Sequence, residues 1–142
     1  MRVFTAVLFF AWCSFAMAGK DTFGDVVVSR VTTIYDGDSF SATIDSWPEI
    51  AGKNIPIRIY GIDTPEMRGE CKREIELARM AKKATVALIR SAKVIELKQM
   101  RRDKYFRIDA DVYADGKNVG DKLIKDGLAK PYYGGKKNTW CN

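Results

Sequence analysis

Apolar residues recur along this chain with two different periods, and the changes of period mark its elements. Ile55, Ile57 and Ile59 alternate with Pro56, Arg58 and Tyr60, the period-2 pattern of a half-buried strand. On such a strand Arg58 leaves the core and faces whatever lies over the sheet. Gly61 then permits a bend, and Asp63-Thr64-Pro65-Glu66 follows as a tight, oxygen-rich turn. Upstream, residues 26–28 and 31–34 read as a first strand interrupted near Ser29-Arg30, and Phe40, Thr43 and Ile44 as a second. Asp36-Gly37-Asp38-Ser39 is the turn between them, and residues 46–54, with Pro48, Gly52 and Asn54, read as a loop.

Downstream the period changes. Leu77, Ala81, Ala84 and Leu88 fall at helical spacing with Lys and Arg on the other faces, which predicts a helix over about 70–90. Val94, Ile95 and Leu97 begin a fourth strand that ends in the charged run Arg101-Arg102-Asp103-Lys104. Residues 105–113 form a fifth, with Ile108, Ala110 and Val112 inward, and Asp115-Gly116 is a tight-turn signal. Asn118 caps a short helix with Asp121 three residues on, and Gly127 stops it. Three strands, helix, two strands, helix: the order predicts an α+β, mainly β fold. Its form is a five-stranded, curled antiparallel Greek-key barrel of the oligonucleotide-binding type, with two to three helices.

The first residues do not fit that domain. Arg2 precedes an almost unbroken apolar run over 3–15, and Ala16-Met17-Ala18 is a small-x-small cleavage site. We expect a signal peptide over 1–18, one domain over 19–142, and a secreted or periplasmic product without a membrane anchor after cleavage. A lipoprotein reading at Cys13 is disfavoured by Trp12 before the cysteine. The 142-residue chain has net charge +6, and without Arg2 its 23 basic residues face 18 acidic ones. A basic exported protein favours polyanionic partners such as nucleic acid, with cell-surface polymers and acidic lipids as the competing reading. Histidine is absent. That excludes a Ser-His-Asp triad, the histidine-bearing zinc hydrolase sites and histidine as general base. Without Cys13, Cys71 and Cys141 remain, and in an oxidising compartment they most simply form one disulfide.

Asp36-Gly37-Asp38-Ser39 and Asp63-Thr64 could together build a hard-oxygen site for calcium. An EF-hand from Asp36 fails, because Ser41 stands at its sixth position and Trp47 at its twelfth. Taken alone, each acidic segment is more often a solvated turn, each arginine a surface ion pair, and each tyrosine ordinary packing. Arg58 and Arg107 on separate strands could nonetheless fork onto phosphate, and Tyr105, Tyr132 and Tyr133 could stack on bases.

In combination, Asp36-Gly37-Asp38-Ser39, Arg58, Asp63-Thr64-Pro65-Glu66, Asp103-Lys104-Tyr105-Phe106-Arg107 and Gly127-Leu128-Ala129-Lys130 resemble the staphylococcal nuclease (thermonuclease) family. The resemblance spans about 26–133 in order and spacing. It implies the oligonucleotide-binding barrel and calcium-dependent hydrolysis of DNA and RNA to 3′-phosphate ends by a monomer with one calcium ion. Position by position, it implies that Asp38, Asp63 and the Thr64 carbonyl hold the ion. Arg58 and Arg107 would bind the scissile phosphate, Glu66 would be the carboxylate near the attacking water, and Lys104, Tyr105 and Tyr133 would contact substrate. Ser39 replaces the family's usual threonine, and Phe106 its usual glycine. A phenylalanine forced to positive φ there would be strained and could displace Arg107. We expect the family's C-terminal helix to be shortened and a Cys71–Cys141 bridge to substitute for it. The reading from another class is a catalytically inactive nuclease-like barrel that binds nucleic acid or protein. An exported adhesion domain is a third, and it leaves the spacing of the five acidic and arginine positions unexplained.

Overall fold

The computed structural model describes residues 21–141, so the expected leader and its cleavage site lie outside the described residues. The elements run β1 (Val26–Val27), β2 (Arg30–Ile34), β3 (Ser39–Thr43), α1 (Glu49–Gly52), β4 (Ile55–Ile59) and β5 (Ile62–Asp63). They continue with α2 (Lys72–Ser91), β6 (Ile95–Arg102), β7 (Ile108–Ala114), β8 (Lys117–Asn118), α3 (Val119–Lys125) and β9 (Lys130–Pro131). One curled sheet follows the order β1-β6-β7-β4-β3-β2, with β8 added to β7, and β5 pairs β9 in a small second sheet. This is the expected α+β barrel-type fold.

Its alternation follows the sequence pattern. Phe40, Ile57, Ile59, Leu97, Val112 and Leu123 point inward and are no more than 1% exposed. Each contributes roughly 1.5–3 kcal/mol by leaving water. Asn118 caps α3 by accepting from the Asp121 N–H at 3.0 Å, as expected.

Several expectations are corrected. The sheet is not wholly antiparallel: β4 and β7 run parallel, placing Arg58 beside Asp109. The cause is connectivity, since α2 carries the chain across and the antiparallel β6–β7 pair sends β7 back along β4. The 46–54 loop contains α1, where the Ala51 and Gly52 N–H groups both reach the Pro48 carbonyl, at 2.8 and 2.9 Å. The charged run at 101–102 belongs to β6, and β7 begins at Ile108 rather than at Tyr105. Asp103 is the reason: its carboxylate captures the Tyr105 and Arg107 N–H groups at 2.8 and 2.9 Å, which turns the backbone away from the ladder. The buried line of α2 is Ala78, Ala81, Thr85 and Ile89, with Leu77, Ala84 and Leu88 only half-buried beside it. Small residues win the centre because α2 lies directly on the 36–39 turn, where Thr85 Oγ1 donates to the Gly37 carbonyl at 2.7 Å.

Candidate functional site

Register brings the first functional groups together. Arg58 lies opposite Ser39 on β3 and beside Asp109 on β7. Its guanidinium donates to the carbonyls of Ile59 at 3.2 Å and Ile62 at 2.8 Å, which fixes its direction. Two carboxylates flank it, Asp38 Oδ2 at 3.6 Å and Asp109 Oδ1 at 3.9 Å. Asp38 is buried and accepts from Ser39 Oγ at 3.0 Å and from the Thr64 N–H at 3.2 Å. That last bond ties the 36–39 turn to the Asp63-Thr64 turn although 26 residues separate them. Burial, with Asp36 nearby, raises the Asp38 pKa to about 6 despite Arg58 and these hydrogen bonds. Burial likewise lifts Asp109 above its ordinary value, against the pull of Arg58.

The bend after β4 sets the second group. Gly61 has φ +77°, and a Cβ there would stand 3.1 Å from the Tyr133 ring, so the position serves both the turn and the approach. Asp63 and Thr64 are buried behind the cleft wall, at 4% and 3% exposure. The Trp140 indole N–H points at Asp63 Oδ2 from 3.4 Å, and Lys137 Nζ meets Asp63 Oδ1 at 2.7 Å. The same ammonium reaches Glu66 Oε1 at 2.9 Å. The buried Glu74 accepts the N–H groups of Glu66 at 3.3 Å and Glu70 at 2.9 Å, which anchors the backbone that carries Glu66.

The opposite wall is a loop. Asp103 accepts from Arg107 Nε at 2.7 Å in addition to its two backbone bonds. Burial opposes ionisation of Asp103, but these hydrogen bonds and the Arg107 charge together hold its pKa below the ordinary value. Phe106 does take the feared conformation, φ +63°, with its side chain in solvent. Arg107 is not expelled: it still lines the cleft, held by Asp103. Tyr105 lies under both Arg107 and Lys104, whose charges stand 5.4 and 5.0 Å from its ring centre. Tyr133 meets Tyr60 edge to face at 5.6 Å.

Asp38, Arg58, Glu66, Lys104, Tyr105, Arg107 and Tyr133 therefore share one open cleft of about 800 Å³. Asp63 and Thr64 lie just behind it. A family model described as "Staphylococcal nuclease homologue" matches residues 56–140. The chain belongs to the staphylococcal nuclease family. It is 36% identical over 117 residues to the SPbeta prophage-derived endonuclease YokF of Bacillus subtilis, covering 81% of this chain and 36% of that protein. It is 36% identical over 106 residues to the endonuclease YncB of the same organism, covering 73% and 47%. A third relative, the probable endonuclease LCL3 of Podospora anserina, is 31% identical over 125 residues, covering 72% and 45%. The chain thus spans between about a third and a half of the length of these relatives.

The family's metal is calcium, and the donor set fits it. The expected donors, Asp38, Asp63 and the Thr64 carbonyl, are hard oxygens of the kind calcium accepts, and the Thr64 N–H bond to Asp38 joins the two turns that carry them. Asp63 Oδ1 is buried, takes no well-directed hydrogen bond and has drawn an ammonium onto itself, as an oxygen awaiting a cation would. Ser39 keeps the hydroxyl that the family's threonine supplies, bonded to Asp38.

The sequence pattern assigns no role to Asp109 or Lys137, and it gives Asp103 a place in the family motif without a function. Asp109 becomes visible only through the parallel β4–β7 register. Asp103 stood in the charged run, and its spacing two residues before Tyr105 was an available turn signal. For Lys137 the signal was indirect, since the expected bridge ties the tail to the segment after Glu66. Cys71 and Cys141 are bonded, with Cα atoms 5.7 Å apart.

Proposed function

We propose that this protein is an exported, monomeric, calcium-dependent nuclease that hydrolyses phosphodiester bonds of DNA and RNA with little sequence preference and leaves 3′-phosphate ends. The observation that carries the reading is Arg58, fixed by two carbonyls beside Asp38, itself bonded to the Asp63-Thr64 turn, with Arg107 and Glu66 on the same cleft. A guanidinium beside a hard-oxygen cluster receives the two ends of a phosphodiester's charge. The basic composition, with net charge +6, and the tyrosines at the cleft mouth suit a single-stranded polyanion. Among the described residues no helix is long and apolar enough to cross a membrane.

Arg58 and Arg107 bind the scissile phosphate from the sheet and from the loop, offsetting the charge that accumulates as phosphorus becomes five-coordinate. Asp38, Asp63 and the Thr64 carbonyl would hold the calcium ion, which would supply Lewis acidity toward a phosphate oxygen and the nucleophilic water. Glu66 is the carboxylate at the cleft able to accept the water's proton. The water oxygen bonds to phosphorus, the bond to the 5′ oxygen breaks with its electron pair on that oxygen, and the oxygen takes a proton from solvent in the open cleft while Glu66 returns its own to solvent. Tyr105, Lys104 and Tyr133 hold the flanking nucleotides.

The test is degradation of single-stranded DNA with calcium and then with chelator, using protein lacking the leader. The expected result is calcium-dependent cleavage that falls at least a hundredfold in Arg58→Ala and in Glu66→Ala. Tight binding without cleavage would replace this reading with the inactive-barrel one.

A further inference from the structure

Lys137 is a charged group in the cleft that the proposed reaction does not use. Its ammonium bridges Asp63 and Glu66 at 2.7 and 2.9 Å. An exposed ion pair would carry little meaning. Here, however, the Asp63 side chain is only 6% exposed, and the other group near its carboxylate is the Trp140 indole. A buried carboxylate needs a counter-charge, and the one supplied comes from 74 residues away in sequence.

The segment that delivers it is pinned at both ends. Upstream, β9 pairs with β5, setting Lys130 opposite Asp63. Downstream, Trp140 is buried and Cys141 is bonded to Cys71 at the start of α2. Lys130 Nζ donates to the Thr139 carbonyl at 2.7 Å, and Tyr132 OH to the Gly135 carbonyl at 2.9 Å. Residues 134–139 are thus an exposed strap with closed ends, and Lys137 stands in its middle. The Lys137 side chain is 46% exposed, so it can swing without moving the strap. The Tyr132 ring offers a second seat, its centre already 6.0 Å from the ammonium.

We propose that Lys137 is a tethered counter-cation: in ion-free protein its ammonium takes the divalent ion's place on Asp63, steadied by Glu66, and it must leave Asp63 for an ion to enter. This rests on the calcium reading above and goes beyond it, because it makes the strap a device that weakens calcium binding. The ion has to compete with a charge of fixed local concentration. A half-exposed pair with one buried partner is worth about five- to tenfold in affinity.

The experiment is calorimetric titration of calcium without nucleic acid, on wild type, Lys137→Met, Lys137→Arg and Lys136→Met. We expect Lys137→Met to bind calcium about five- to tenfold more tightly, and Lys137→Arg and Lys136→Met to stay within about twofold of wild type. In chelator, Lys137→Met should also melt at a lower temperature than wild type, since Asp63 loses its counter-charge, and calcium should raise its Tm by more. Equal or weaker calcium binding by Lys137→Met overturns the inference while leaving the calcium reading intact. Equal tightening in Lys136→Met overturns it too, by reducing the effect to net charge. No calcium binding by any of the four proteins overturns both.

Discussion

Arg58 and Arg107 face one cleft from opposite walls, and they are held there by different parts of the protein. Arg58 sits on a strand between β3 and β7, its guanidinium bonded to two backbone carbonyls and flanked by two carboxylates, its side chain 14% exposed. Behind that wall, Gly37 and Ala81 pack where a helix meets the turn that carries Asp38. Arg107 ends a five-residue turn, and a single carboxylate within the same turn directs it. Loss of Arg58's position would require the barrel to deform. Arg107's position depends on side chains of its own loop, chiefly Asp103, so it can be changed with the barrel intact.

The sharpest break of this contrast is at Gly37. A Cβ there would stand 2.8 Å from Thr64 Cγ2 and 2.9 Å from Ala81 Cβ, and none of these atoms is the end of a flexible chain. Gly37→Ala should therefore cost about 1–3 kcal/mol in urea unfolding and take cleavage down with it. A variant of wild-type stability would show that the sheet wall yields as easily as the loop.

Next comes Asp103. We expect Asp103→Ala to lower the cleavage rate about tenfold by freeing Arg107, while changing stability by only about 1 kcal/mol. The sign with pH follows from its lowered pKa. A carboxylate held below its ordinary value stabilises the fold at neutral pH and ceases to do so as pH falls through the folded value. The stability gap between wild type and variant should then close on acid titration. A gap that widened in acid would mean the loop is held by something else.

The smallest effect is at Phe106, whose φ of +63° carries the cost of a Cβ in left-handed backbone. Its side chain is 79% exposed and contributes no burial in return. Phe106→Gly should add up to about 1 kcal/mol of stability by thermal or urea unfolding, with cleavage little changed because Asp103 already orients Arg107. A large gain in activity would instead mean that the phenylalanine distorts the arginine.

Much of this site was legible because its residues lie in short segments whose chemistry is local. The alternation at Ile55, Ile57 and Ile59 announced that Arg58 leaves the core, and Asp63-Thr64-Pro65-Glu66 announced a turn of oxygens. The fifth strand starts later than the pattern predicts because, although Tyr105, Phe106 and Arg107 look like strand residues, the Asp103 carboxylate outcompetes the ladder for the N–H groups of Tyr105 and Arg107. The helix stripe was shifted because Leu77 and Leu88 carry more apolar surface than Ala81 and Thr85. Depth on α2 is decided instead by how closely the helix can approach Gly37.

By itself the sequence determined the main strands and the two longer helices, the absence of imidazole chemistry, the segments that carry the acids and arginines, and the pairing of Cys71 with Cys141 as the simplest bond. Each follows from periodicity, composition or local turn chemistry, which act over a few residues. Tertiary structure alone decided that β4 and β7 run parallel, so that Asp109 faces Arg58. It alone decided that Lys137 bridges Asp63 and Glu66. Those placements depend on which distant segments the sheet and the disulfide bring within a few ångströms, and no local pattern encodes that distance.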